Sequence, residues 1–318
     1  MPETRLTNAD LERLVDTSDA WIVERTGIRG RRVAADGETT ATLAVTAGAA
    51  AIKQAGFVPE DVELLIVATT TPEQPVPETS AFVHEGLGLR CGAFDIGAGC
   101  AGFVYSLVAG SLLLAGGGLG SVLVIGSETL SRIIDYSDRQ TCVLFGDGAG
   151  AVLLIAGDGD DGPGILAWDL GCDGSATALI QLPAGGSRLP TSTATVAAGQ
   201  HYVRMDGQEV FRRAVRLLAD SASVVLDRAG VAVDEIDLLI PHQANARIMR
   251  AVASRLGIEP QRVVVNIDRY GNTSAASVPL ALAEAVDDGR LAPGDLVLFT
   301  AIGAGLTWAS AVVRWGHP

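Results

Sequence analysis

Three residues have side chains that can do chemistry and lie where an apolar run gives way to a turn. They are Cys100 in "DIGAGCAGF", His242 in "LLIPHQAN" and Asn272 in "YGNTSA". Cys100 follows a strand pattern and precedes a helix pattern. Such a junction leaves backbone N–H groups free and sets the positive end of a helix dipole beside the side chain. That environment lowers a thiol pKa and makes the cysteine a nucleophile. Gly97, Gly99 and Gly102 let the backbone turn sharply and leave room for a bulky group on sulfur. A buried structural cysteine is the ordinary alternative. His242 ends a fully apolar strand, where α/β proteins place their chemistry, although a packed histidine fits there too. Asn272 has a helix cap or a left-handed turn as its plain explanation. A thiol, an imidazole and an amide at the ends of three core strands form a sharper signal than any one of them.

The elements that must position these residues alternate between helix and strand. "TLAVTAGAAAIKQAGF", "SAFVHEGLGL" and "GFVYSLVAGSLLLAGGG" have helical patterns, and "VELLIVATTT", "CGAFDIGAG" and "SVLVIGSE" have strand patterns. "CVLFGDGAGAVLLIAG" reads as a hairpin. Unbroken Val, Ile and Leu runs predict strands covered by helices on both faces. The second half repeats this order. Leu64 to Leu238 spans 174 positions, Cys100 to Asn272 spans 172, and Ser121 to Asp295 spans 174. A nearly constant offset predicts two similar α/β halves related by a pseudo-twofold axis, with Cys100 and Asn272 at equivalent junctions. The expected organisation is a first half over residues 1–156 carrying the cysteine and an irregular substrate-side insert over 157–207, which includes "GDGDDGPG". A second half over 208–318 carries the histidine and asparagine.

Composition bounds the partners. The chain has 318 residues, enough for one large layered core or two domains, and it is 48% hydrophobic and 19% charged, as folded proteins are. A formal charge of -14 argues against a general nucleic-acid binder. Four cysteines, at 91, 100, 142 and 172, show neither metal-ligand spacing nor a dense disulfide pattern, so a reduced cytoplasmic protein with no metal is expected. The first residues lack the regions of a signal peptide, and no apolar run reaches the roughly 18 residues of a membrane span.

The motifs "DIGAGCAGF", "IPHQANARI", "NIDRYGNTSAASVP" and "DTSDAWIVERTGI" together resemble the β-ketoacyl-acyl carrier protein synthase III family of thiolase-like condensing enzymes, over essentially the whole chain. The resemblance implies an α/β thiolase-like five-layer αβαβα fold made of two duplicated halves, and a homodimer. It implies a decarboxylative Claisen condensation of a short acyl-coenzyme A starter with malonyl-acyl carrier protein, initiating fatty acid synthesis. The coenzyme A thioester is substrate, and no further cofactor is implied. Cys100 would be the nucleophile, with His242 and Asn272 donating hydrogen bonds to the enolate. The backbone N–H groups of Cys100 and Ala304 would form the oxyanion hole, Ala304 standing where glycine is usual. Trp21, Arg25 and Arg139 match coenzyme A nucleotide contacts, and Gly207 and Asn245 match positions along the pantetheine arm.

Gln140 and Gln208 depart from the family pattern by enlarging side chains along the tunnel, which bears on carrier versus coenzyme A preference. Members normally begin with a strand ahead of a turn matching "PETRLTN", whereas this chain begins at that turn. A true start upstream of Met1 is the expectation. Apart from Lys53 every basic residue is arginine, and Arg212, Arg213, Arg247, Arg250 and Arg255 are expected to form a docking patch for an acidic carrier protein. Three other roles use the same scaffold: a starter-unit ketosynthase of an aromatic polyketide pathway, an acyltransferase without condensation, and an inert dimer partner. A complete Cys, His and Asn set weighs against the last two.

Overall fold

The computed structural model describes residues 1–157 and 162–316, so residues 158–161 of the expected insert lie outside the described residues. Its main helices are α1 (Asp19–Thr26), α2 (Thr40–Gln54), α3 (Thr79–Leu87), α4 (Gly102–Ala115), α5 (Gly207–Ala229), α6 (Ala246–Leu256) and α7 (Ser277–Asp287). Its main strands are β1 (Leu64–Ala68), β2 (Gly92–Ile96), β3 (Ser121–Glu128), β4 (Gly148–Ile155), β5 (Gly164–Cys172), β6 (Leu238–Pro241), β7 (Leu296–Gly303) and β8 (Thr307–Arg314).

These strands form two four-stranded sheets, in the orders β2-β1-β3-β4 and β6-β7-β8-β5. In the first sheet β1 runs parallel to β2 and β3, and β4 pairs antiparallel with β3. In the second, β6 and β7 are parallel, and β7 and β8 form a true antiparallel hairpin. Helices α4 and α7 lie between the sheets. One core cluster therefore joins Ile66 and Val124 of the first sheet, Val104 and Leu107 of α4, Val278 and Leu282 of α7, and Ile240 and Phe299 of the second. Helices α2 and α3 cover the outer face of the first sheet, and α5 and α6 that of the second. The result is five layers, as the family resemblance implies, and both sheets are covered by helices on each face, as the buried strand runs predict. Small residues make the middle layer thin: a Cβ on Gly110 would lie 3.0 Å from Leu154.

Three expectations change. The segment 157–207 is not irregular throughout, because β5 is the edge strand of the second sheet, paired with β8 from Thr307↔Cys172 to Arg314↔Gly164. Its partner lies more than 130 residues away in sequence, and local periodicity does not report such pairing. Among the described residues, β4 has no corresponding neighbour on its outer side. The run "CVLFGDGAGAVLLIAG" contributes one strand, not a hairpin. Its first part is held by Asn272 instead, whose N–H donates to Leu144 O (2.9 Å) and whose carbonyl accepts from Gly146 N (3.0 Å). Finally, the 3-10 turns Gly99–Ala101 and Ser274–Ala276 each lead directly into a middle-layer helix. This sets the local offset at 175, so Ala275 stands opposite Cys100, and Asn272 lies one turn earlier.

Candidate active site

A cavity of about 1550 Å³ runs from the surface beside Trp21 to the junction of the two halves, and Cys100, His242 and Asn272 all line it. Cys100 sits in the turn that feeds α4. Its neighbour Gly99 has φ +56°, a region costly for any residue with a Cβ. The turn crosses the end of β7 at backbone contact: a Cβ on Gly99 would lie 2.6 Å from Ala304 N, and one on Gly303 would lie 2.4 Å from Cys100 N. The N–H groups of residues 100 and 304 are therefore held close together.

His242 is buried at the end of β6, with its N–H on Thr300 O at 2.7 Å. Its Nδ1 lies 2.5 Å from Ser277 Oγ, and Gln243 N donates to that same oxygen (3.4 Å). When the Ser277 hydroxyl donates its hydrogen bond to Nδ1, the ring N–H is on Nε2. Burial pulls the imidazole down to about 3, so it is neutral and a hydrogen-bond donor at neutral pH. Gln243 braces the same turn, donating to Pro241 O and Val264 O and accepting from Asn266 N and Ile267 N.

Asn272 is pinned through its backbone, and its Oδ1 accepts from Ser274 N at 2.9 Å. The amide Nδ2 is left as the donor. One electrostatic expectation is reversed. The Cys100 thiol is pushed up to about 12, first by burial, with the Glu128 carboxylate adding to the rise and the Ser274 hydroxyl opposing it. The direction of this shift favours the thiol over the thiolate in the free protein.

The outer cavity gathers the other expected residues. Trp21, Arg25, Arg139, Gly207 and Asn245 all line it, as do Gln140 and Gln208. The guanidinium of Arg25 lies 4.8 Å from the Trp21 ring centre and that of Arg139 5.2 Å. Both polar groups of the Asn245 side chain are already engaged: Oδ1 caps α6 through Arg247 N (2.8 Å), and Nδ2 donates to Arg25 O (3.0 Å). The arginine patch is weaker than its sequence suggests. Arg212 is bound by Glu209 at 2.7 Å, Arg213 by Glu209 and Asp173, and Arg255 by Asp220 at 3.4 Å. Arg247 lies over the Phe211 ring at the cavity wall, 5.4 Å from its centre. Sequence reasoning passed over Ser277, Gln243, Ser274 and Glu128. "NTSAAS" carries a signal for the serines, as hydroxyls beside an expected site.

Two α/β halves with a cysteine, a histidine and an asparagine converging between them define a thiolase-like condensing enzyme, and comparison with known proteins agrees. Residues 94–174 match the model of 3-oxoacyl-[acyl-carrier-protein] synthase III, and residues 226–315 match that of its C-terminal part. The chain is 50% identical to the β-ketoacyl-[acyl-carrier-protein] synthase III of Symbiobacterium thermophilum over 100% of this chain and 96% of that protein. The solved synthase III of Thermus thermophilus superposes with a TM-score of 0.92 at 45% identity, covering 100% of this chain and 97% of the other. The priming β-ketosynthase of the R1128 polyketide pathway superposes with a TM-score of 0.91 at 33% identity, covering 100% and 94%. The chain belongs to the β-ketoacyl-[acyl-carrier-protein] synthase III family. It is an acyl-transferring condensing enzyme of fatty acid initiation, and its polyketide relatives are more distant.

Proposed function

We propose that Cys100 is the nucleophile that takes the acyl group from a short acyl-coenzyme A, and that His242 and Asn272 drive decarboxylation of malonyl-acyl carrier protein. The observation that carries this reading is the single cavity joining a thiol and two neutral donors at its inner end to an aromatic ring with two guanidiniums at its mouth. The Cys100 sulfur attacks the thioester carbon, and the N–H groups of residues 100 and 304 receive the charge on oxygen. Coenzyme A leaves with its nucleotide end on Trp21, Arg25 and Arg139. It is a substrate, and the reaction uses no resident cofactor or metal.

When the malonyl carrier enters, His242 Nε2–H and Asn272 Nδ2–H donate to its thioester oxygen. Carbon dioxide departs, and the enolate carbon attacks the acyl-enzyme. Neutral donors suit this step because negative charge develops on an oxygen that was neutral. The carrier protein docks beside the cavity mouth on Arg247 and Arg250, because acidic partners offset the charges of Arg212 and Arg255. The working form is a cytoplasmic homodimer. The edge strand β2, with Phe94 exposed, and Phe82, Leu112 and Leu113, also exposed, supply apolar surface and an open strand edge for a second copy.

The test is to add acetyl-coenzyme A without the malonyl partner and locate the adduct by intact mass and peptide mapping. One acetyl group on Cys100 per chain is expected. An adduct on Cys91, Cys142 or Cys172 overturns the assignment.

A further inference from the structure

The turn between Asn272 and α7 holds a residue that this scheme leaves idle. Ser274 is 1% exposed and lines the cavity. With φ +48° it is the one non-glycine in the left-handed region among the described residues. Such a backbone is disfavoured for a residue with a Cβ and persists where the surroundings impose it. Its N–H orients Asn272, a task that any residue could perform. Its hydroxyl is the distinctive part. It stands beside both the Cys100 thiol and the Glu128 carboxyl. Yet among the described residues it has a well-formed hydrogen bond to neither.

Glu128 ends β3 and is completely buried. Its carboxyl accepts from Thr70 N and Thr71 N, both at 3.1 Å, from Thr71 Oγ1 at 2.7 Å and from Ala275 N at 3.4 Å. It thus reaches the turns on both sides of the cysteine. These partners are N–H and hydroxyl groups, and the Ser274 hydroxyl, without a hydrogen bond of its own among the described residues, is a further polar group near both acids, in the cavity that Cys100 also lines.

We propose that Ser274 relays the proton of the Cys100 thiol to Glu128 as the sulfur attacks. As the new bond from Sγ to the acyl carbon forms, the S–H bond breaks and its proton passes to Ser274 Oγ, while the hydroxyl proton passes to a Glu128 oxygen. The carbonyl electron pair moves onto its oxygen. When the intermediate collapses, the bond from carbon to the coenzyme A sulfur breaks and the pair stays on that sulfur. The proton returns from Glu128 through Ser274 to the departing thiolate. One proton has moved from thiol to thiol, and nothing is oxidised or reduced. Burial disfavours negative charge on either acid, and Glu128 is raised by it as Cys100 is. Moving one charge from carboxylate to sulfur avoids placing two in the same low-dielectric site.

The relay rests on Cys100 being the nucleophile, and its test separates the two claims. Acetylation of Cys100 is followed against pH by mass spectrometry in the wild type, Ser274→Ala and Glu128→Gln, with decarboxylation of malonyl-acyl carrier protein and thermal melting in parallel. At pH 7 both variants are expected to acetylate at least 30-fold more slowly, with decarboxylation falling far less. Ser274→Ala should regain rate about tenfold per pH unit as hydroxide ionises the thiol directly. The sign for Glu128→Gln is decisive. If the carboxylate merely repels the thiolate, removing it speeds acetylation, and the relay is wrong. Equal loss of both steps together with a lowered melting temperature also overturns it. Should Glu128→Gln not fold, an unchanged pH profile for Ser274→Ala rejects the relay alone. A wild-type adduct away from Cys100 rejects the nucleophile first.

Discussion

Acidification should destabilise this protein through His242 in a window its burial defines. The imidazole titrates near 6.5 in an unfolded chain but only at about 3 in the folded one. Between these values the unfolded chain binds a proton that the folded chain refuses, so stability falls as pH falls, beginning near 6.5 and ending near 3. Each unit is worth about 1.4 kcal/mol, so His242 alone should remove about 2.7 kcal/mol by pH 4.5. Several carboxyls are shifted as well: Asp10 and Asp135 are lowered by hydrogen bonds, and Glu128 and Asp147 are raised by burial. Comparing the wild type with His242→Gln cancels these contributions. Urea unfolding at pH 7 and 4.5 is expected to show the wild type losing about 2 to 3 kcal/mol more than the variant. Equal losses would mean that the imidazole protonates in the folded state as readily as in the unfolded chain, and that burial is not what holds it neutral.

Replacing His242 or Asn272 with alanine should lower malonyl decarboxylation about 10²- to 10³-fold, the usual loss for one oxyanion donor. Acetylation of Cys100, measured separately by label transfer, should survive in both. A parallel fall in the two steps would assign them to the thiol or to the fold. Arg247→Glu with Arg250→Glu should raise KM for malonyl-acyl carrier protein at least tenfold at low salt, with the effect shrinking as salt increases. KM for acetyl-coenzyme A should change far less, and an unchanged carrier KM would move the docking surface elsewhere.

Much of the site was legible because its residues are punctuated locally. Cys100 lies among glycines, His242 ends an apolar run and Asn272 sits in a glycine-bounded turn, and each signal is contained in a few neighbouring positions. What escaped depends on chain segments far apart. β5 looked irregular because its order comes from β8, not from its own period. The thiol was expected to be acidified from its helix junction, but its pKa is set by enclosure and by Glu128, 28 residues further on. The arginine runs suggested a strong positive patch, whereas Glu209, Asp173 and Asp220 fold back onto it. The equivalence of Cys100 with Asn272 missed by three residues, since an offset averaged over strands does not resolve the turn between them.

The crossing of residues 99–100 with 303–304 bears on how such a chain can drift in sequence. Contacting side chains usually trade volume, one shrinking where the other grows, and so leave a correlated record. At this crossing a Cβ added to the turn or to the strand end meets backbone nitrogen, at 2.6 Å from Gly99 and 2.4 Å from Gly303. Neither partner has a side chain to give up, so no second substitution can rescue the first. The seam between the halves should therefore record its importance as fixed glycine rather than as covariation, and methods that infer contacts from correlated change would pass over it.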